Sequence, residues 1–198
     1  MSSNVPATLP PVRRSIRVAW APDSAFRRFT AEIASWWPLR THSVGQERAQ
    51  TVIFEGRSGG RIFERIEGGE ESTWGTVTAW DPPRRVAFTW HPGLTPETAG
   101  EVELKFLPDG AGTRLELTHT GWEKLGPIAA KARKGYNIGW VYVLKHYAGR
   151  TASLFVWTMD AMTVALRPLQ KRAAAKMQAK LDAFTAQARE AGPSSPAR

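Results

Sequence analysis

Tyr136-Asn137-Ile138-Gly139-Trp140-Val141-Tyr142-Val143-Leu144-Lys145-His146-Tyr147 is the stretch whose reading decides the fold. Tyr136, Trp140, Val143, Leu144 and Tyr147 fall at i, i+4, i+7, i+8 and i+11, one stripe of a helix that the spacing predicts over 131–149. So aromatic a stripe must lie on an apolar surface, because exposing it to water is costly.

The sequence upstream supplies that surface. After a loop at 39–48 the periodicity changes to two, with strands expected near 50–55, 60–67, 73–80, 84–91, 101–107 and 113–120. Between them stand turn formers: Gly59-Gly60, Gly68-Gly69, Asp81-Pro82-Pro83, Pro92-Gly93 and Asp109-Gly110. Val86, Phe88 and Trp90 share one strand face; so do Val102, Leu104 and Phe106, and Leu115, Leu117 and His119. Ser15–Trp20 alternates as a further strand, and Phe26, Phe29 and Ile33 predict short helical turns that Trp36-Trp37-Pro38 ends. These elements specify an α+β helix-grip fold, a curved antiparallel sheet of about seven strands around the long helix.

The organisation expected along the chain is a flexible N-terminal lead at 1–11, the helix-grip domain at 12–149, a helical extension at 150–190 and a disordered tail at 191–198. The first fifteen residues hold no apolar core of a secretory signal. The longest apolar stretch, Leu154–Leu166, is shorter than the roughly 20 residues a bilayer span needs. With no cysteine in the chain, disulfides, thiolate metal sites and cysteine nucleophiles are excluded, and a cytoplasmic setting is expected. The formal net charge of +9 comes from residues 123–198, with thirteen Lys/Arg against four Asp/Glu. Because no base-reading or stacking residues accompany that charge, a solvated basic helix is expected and nucleic-acid binding is not.

Several motifs carry a resemblance. Ile16-Arg17-Val18, Ala21-Pro22, Trp36-Trp37-Pro38, Gly59-Gly60-Arg61, Trp74-Gly75-Thr76-Val77, Trp80-Asp81-Pro82-Pro83, Phe88-Thr89-Trp90, Gly112-Thr113 and His119-Thr120-Gly121-Trp122 stand in the order of the bacterial branch of the heat-shock-protein-90 ATPase activator homologue family. The chain resembles that family over residues 14 to 149. The family lies within the START and birch-pollen-allergen-like superfamily (SRPBCC). The resemblance implies the helix-grip fold but not one activity, because the superfamily includes lipid carriers, receptors, cyclases and co-chaperone domains.

Candidate site residues follow from parity. Val86, Phe88, Trp90, Leu115, Leu117 and His119 from the strands, with Tyr136 and Trp140 from the helix, are expected to converge on a cavity. Trp36, Trp37, Trp74, Trp80 and Trp122 are core or cavity residues that parity does not assign. His119 orients a ligand or is a core histidine. Glu64 shares its face with Ile62 and Ile66, so it is either a buried, functional carboxylate or part of a solvent-facing surface. His42, His91, His119 and His146 have no metal-ligand spacing, and Gly59-Gly60-Arg61 lacks the context of a phosphate loop. Neither a metal, a cofactor nor a catalytic residue is assigned.

The expected function is to bind a small apolar or amphipathic ligand between sheet and helix. The alternatives are a cyclase- or hydratase-like enzyme with His119 as acid–base, and a co-chaperone-like interaction module, which the resemblance alone motivates. The apolar residues after Arg150 are expected to make a homodimer contact through 151–190.

Overall fold

The computed structural model describes residues 9–190; the expectations for 1–8 and for the tail at 191–198 lie outside the described residues. One seven-stranded antiparallel sheet is formed, in the order β1-β7-β6-β5-β4-β3-β2. The strands are β1 (Val12–Val18), β2 (Ala49–Phe54), β3 (Arg61–Ile66), β4 (Glu71–Asp81), β5 (Arg85–Trp90), β6 (Gly100–Asp109) and β7 (Gly112–Thr120). The helices are α1 (Pro22–Phe29), α2 (Ala129–Tyr147), α3 (Leu154–Ala165) and α4 (Arg167–Glu190).

The apolar rows line up as parity requires. Val86 pairs with Leu104 and Phe88 with Val102; Leu104 pairs with Leu117 and Phe106 with Leu115. All of these are buried under α1 and α2. β1 begins at Val12, three residues before the alternation at Ser15 becomes visible. The basic pair Arg13-Arg14 hides the strand in the sequence. Val12 is nonetheless buried opposite His119, and Arg14 reaches over the sheet edge to donate to the Asn137 carbonyl at 2.9 Å.

A 3-10 segment, Trp122–Ile128, precedes α2. At its start Gly121 has φ +84°, a left-handed turn open to glycine at little steric cost, and this swings the chain from β7 onto the sheet's face. The C-terminal half of α2 is tightly packed on the Tyr147 side. Tyr147 is fully buried, with ring centroids 5.5 Å from Trp20, 5.4 Å from Phe29 and 5.3 Å from Trp36, and its hydroxyl donates to the Ala25 carbonyl at 2.9 Å.

After Gly149 the chain continues into α3 and α4. Val156 of α3 and Leu181 of α4 are buried in the common core, and Met177 packs against it. Sequence alone leaves the parent domain little room for the extension. In the structure α4 nevertheless docks on its own domain, beside Trp122–Ile128, where the Phe184 ring sits over Gly126. The opposite side of the extension is bare: Leu154 is 76% exposed and Trp157 68%. No helix among the described residues is long and apolar enough to cross a membrane.

Candidate functional site

A cavity of about 660 Å³ opens at the N-terminal end of α2. Its size arises from a second stripe of that helix: Ala132, Gly135 and Gly139 face the cavity and leave space where larger side chains would fill it. Trp37, Trp90, Tyr136 and Trp140 form an aromatic wall, with Trp90 5.6 Å and Trp37 6.4 Å from Trp140 between ring centroids. The loop His42–Gln46, the loop after β5 and Leu125 and Ile128 add further sides. Met177, Gln178 and Leu181 of α4 complete it.

Trp90, Tyr136 and Trp140 therefore line the cavity. Val86, Phe88, Leu115 and Leu117 do not: they are buried in the filled part of the core, where Phe88 packs on Phe54 of β2 and on Trp90. His119 stands behind the wall. It is 2% exposed, with its ring 5.0 Å from Tyr136, and its Nδ1 accepts a hydrogen bond from Trp140 Nε1 at 3.1 Å. Burial lowers its pKa to about 3, so it is a neutral acceptor that fixes the Trp140 indole. Burial likewise pushes the Tyr136 phenol up to about 12.

Glu64 is fully buried, which resolves the face of its strand. Its Oε1 accepts the Val44 and Gly45 backbone N–H groups, both at 2.9 Å, and thereby ties down a cavity loop. Burial raises its pKa although these N–H groups pull it down. The same loop is held by Trp37 Nε1, which donates to the His42 carbonyl at 2.7 Å.

His42 is one of the polar wall residues, with Ser43, Gln46, Lys131 and Gln178, that sequence reasoning left unassigned. Its ring stacks on Tyr142 at 4.6 Å, and a Cβ placed on Gly139 would lie 3.6 Å from its Nε2. Its Nδ1 is 3.0 Å from Thr41 Oγ1; Thr41 Oγ1 donates to the Tyr142 hydroxyl at 3.2 Å, and Tyr142 donates to Asp160 Oδ1 on α3. Burial lowers the His42 pKa to about 4; His146 lowers it too and Asp160 opposes both. Burial, reinforced by Asp160, raises Tyr142 to about 12. Trp37 was visible in the sequence within the Trp-Trp-Pro motif, and Met177 and Leu181, four residues apart, share one face of α4. What carried no local signal was their meeting. Among the described residues no group of acidic and histidine side chains is arranged to hold a metal ion.

The profile of the family described as Activator of Hsp90 ATPase homolog 1-like protein matches residues 20–149. The chain belongs to this family. No curated protein matches it. Among solved structures, an anthrahydroquino-gamma-pyrone synthase, Txn09, is 31% identical over 74% of this chain and 99% of its own, with a TM-score of 0.51. A protein from Mesorhizobium loti is 18% identical over 73% of this chain and 100% of its own, with a TM-score of 0.54. The Aha1 dimer from Colwellia psychrerythraea is 14% identical over the same shares, with a TM-score of 0.50. The last two share the fold alone. The family match ends before α3, so the residues of α4 that complete the cavity lie outside it.

Proposed function

We propose that this family member binds a flat, mostly apolar small molecule in the cavity at the N-terminal end of α2. The observation that carries the reading is the aromatic wall of Trp37, Trp90, Tyr136 and Trp140 facing the small-residue stripe of the same helix in a space of about 660 Å³, a size suited to a drug-sized ligand. Apolar burial would supply most of the affinity, at about 25 cal/mol per Å² before the costs of association. Naphthalene is a suitable probe. Saturable binding with shifts at the indole N–H resonances of Trp37, Trp90 and Trp140 is expected; absence of saturable binding, together with no co-purifying small molecule in native mass spectrometry, would overturn the reading.

Two finer readings have a specific support each. The 31% identity to a synthase favours a cyclase-type enzyme acting on a molecule held in this cavity. A co-purifying ligand that the protein returns chemically unchanged would count against it. The exposed Leu154, Trp157, Met162 and Leu169 favour a second copy of this chain as the partner of the extension. Light scattering should then give a dimer mass for the full chain and a monomer mass for Trp157→Asp; a monomeric wild-type protein ends that idea.

A further inference from the structure

The hydrogen bonds around His42 have a direction. Tyr142 has one hydroxyl hydrogen, which Asp160 takes. Thr41 also has one, which it donates to the Tyr142 oxygen or to the Pro38 carbonyl, each at 3.2 Å. Given to either, it leaves Thr41 Oγ1 only lone pairs for His42 Nδ1 at 3.0 Å; given to Nδ1 itself, it would put the imidazole hydrogen on Nε2 instead. Because Asp160 takes the Tyr142 hydrogen, the Tyr142 oxygen is free to hold the Thr41 hydrogen; in that arrangement His42 carries its own hydrogen on Nδ1, and the neutral imidazole has a bare lone pair on Nε2. Nε2 lies against Gly139, one of the small residues that open the cavity, and His42 is itself a wall residue.

We propose that His42 Nε2 is the hydrogen-bond acceptor that selects the cavity's ligand, a flat aromatic molecule carrying an acidic O–H group such as a phenol or an enol. Asp160, Tyr142 and Thr41 act as positioning residues that hold this tautomer. The inference rests on the cavity being a ligand site and adds the chemistry of the ligand's polar end. It also gives the extension a second role: Asp160, at the end of the chain of donors, lies on α3, outside the segment matched to the family. The charged and titratable groups around the imidazole fit a neutral acceptor. His146 stands 4.5 Å from the Tyr142 ring and disfavours a positive charge on His42, and Asp160 offsets this. A ligand that turns only an acceptor toward Nε2 would place lone pair against lone pair there and bind less well than one offering an O–H, the donors Ser43, Lys131 and Gln178 standing elsewhere in the lining.

The experiment compares naphthalene with 2-naphthol on the full chain. In the wild type, ¹⁵N spectra of the histidine rings should show His42 protonated on Nδ1 and bare on Nε2; the opposite tautomer overturns the proposal without any variant. The preference for 2-naphthol over naphthalene should fall by about three- to tenfold in His42→Ala, the range expected for one buried hydrogen bond. An unchanged preference overturns the role of His42 while leaving the cavity reading intact, whereas failure of naphthalene itself to bind overturns the cavity reading. In Asp160→Ala, which removes the acceptor of the Tyr142 hydrogen and frees Thr41 to turn to Nδ1, the Nε2-protonated tautomer should appear while naphthalene affinity holds. If the tautomer is unmoved there and in Tyr142→Phe, the relay is not what fixes it.

Discussion

The two halves of α2 lie on the same sheet and do opposite things. At the C-terminal end Tyr147 meets three aromatic rings and the space between helix and sheet is filled; an opening beside β1 lies along the helix's flank among Arg14, Lys145 and Arg150. At the N-terminal end Ala132, Gly135 and Gly139 stand where bulky residues would close the gap, and a cavity of about 660 Å³ results. The packed half serves as a foundation that keeps the open half from collapsing, since a void under apolar residues survives only when the surrounding structure is rigid. What distinguishes the halves is side-chain volume on one stripe rather than overall hydrophobicity.

The largest effect should come from attacking the foundation. Tyr147→Ala removes a fully buried ring, and such truncations cost about 3–5 kcal/mol; urea unfolding should show that loss. If the variant unfolds no more easily than wild type, the packed half is not what supports the cavity. Acid should strike both sides of the wall next. His42 and His119 have folded pKa values of about 4 and about 3, below the ordinary 6.5. The unfolded chain therefore binds more protons than the folded one, so stability should fall as pH drops below about 6.5 and keep falling toward 4. A flat stability profile over that window would remove the claim that both rings are held neutral.

The smallest effect on stability, and the sharpest on function, is expected from Gly135→Leu. Nothing lies within 4 Å of a Cβ at this position, so the side chain has room to enter the cavity. Replacing a mid-helix glycine should stabilise α2 by about 0.5–1 kcal/mol. Naphthalene binding should fall sharply at the same time. A variant that gains stability and still binds the probe would show that the ligand space lies elsewhere.

The alternating rows of β5, β6 and β7 and the stripe from Tyr136 to Tyr147 are local periodicities, and they made the sheet and its covering helix legible residue by residue. Trp90, Tyr136 and Trp140 could be placed together for the same reason. Val86, Phe88, Leu115 and Leu117 have the same parity as Trp90, so parity groups them with it; which part of a covered surface is filled depends on what α1 and α2 bring from above. The small stripe Ala132, Gly135 and Gly139 was the signal in the sequence for where the covering helix leaves a gap. Glu64 shows the same limit, because alternation assigned its face but could not say whether that face meets water or Val44 and Gly45.

By itself, then, the sequence determined the helix-grip fold and three of the aromatic wall residues, because side-chain period and turn chemistry act over a few residues at a time. Only the tertiary structure decided that α4 returns to close its own domain's cavity, and that His42 faces it at the head of a chain of donors ending on Asp160. Those contacts join residues more than a hundred positions apart in the case of Thr41 and Tyr142, where |i−j| is 101. No local preference encodes such a meeting; it depends on how the packed layers leave room.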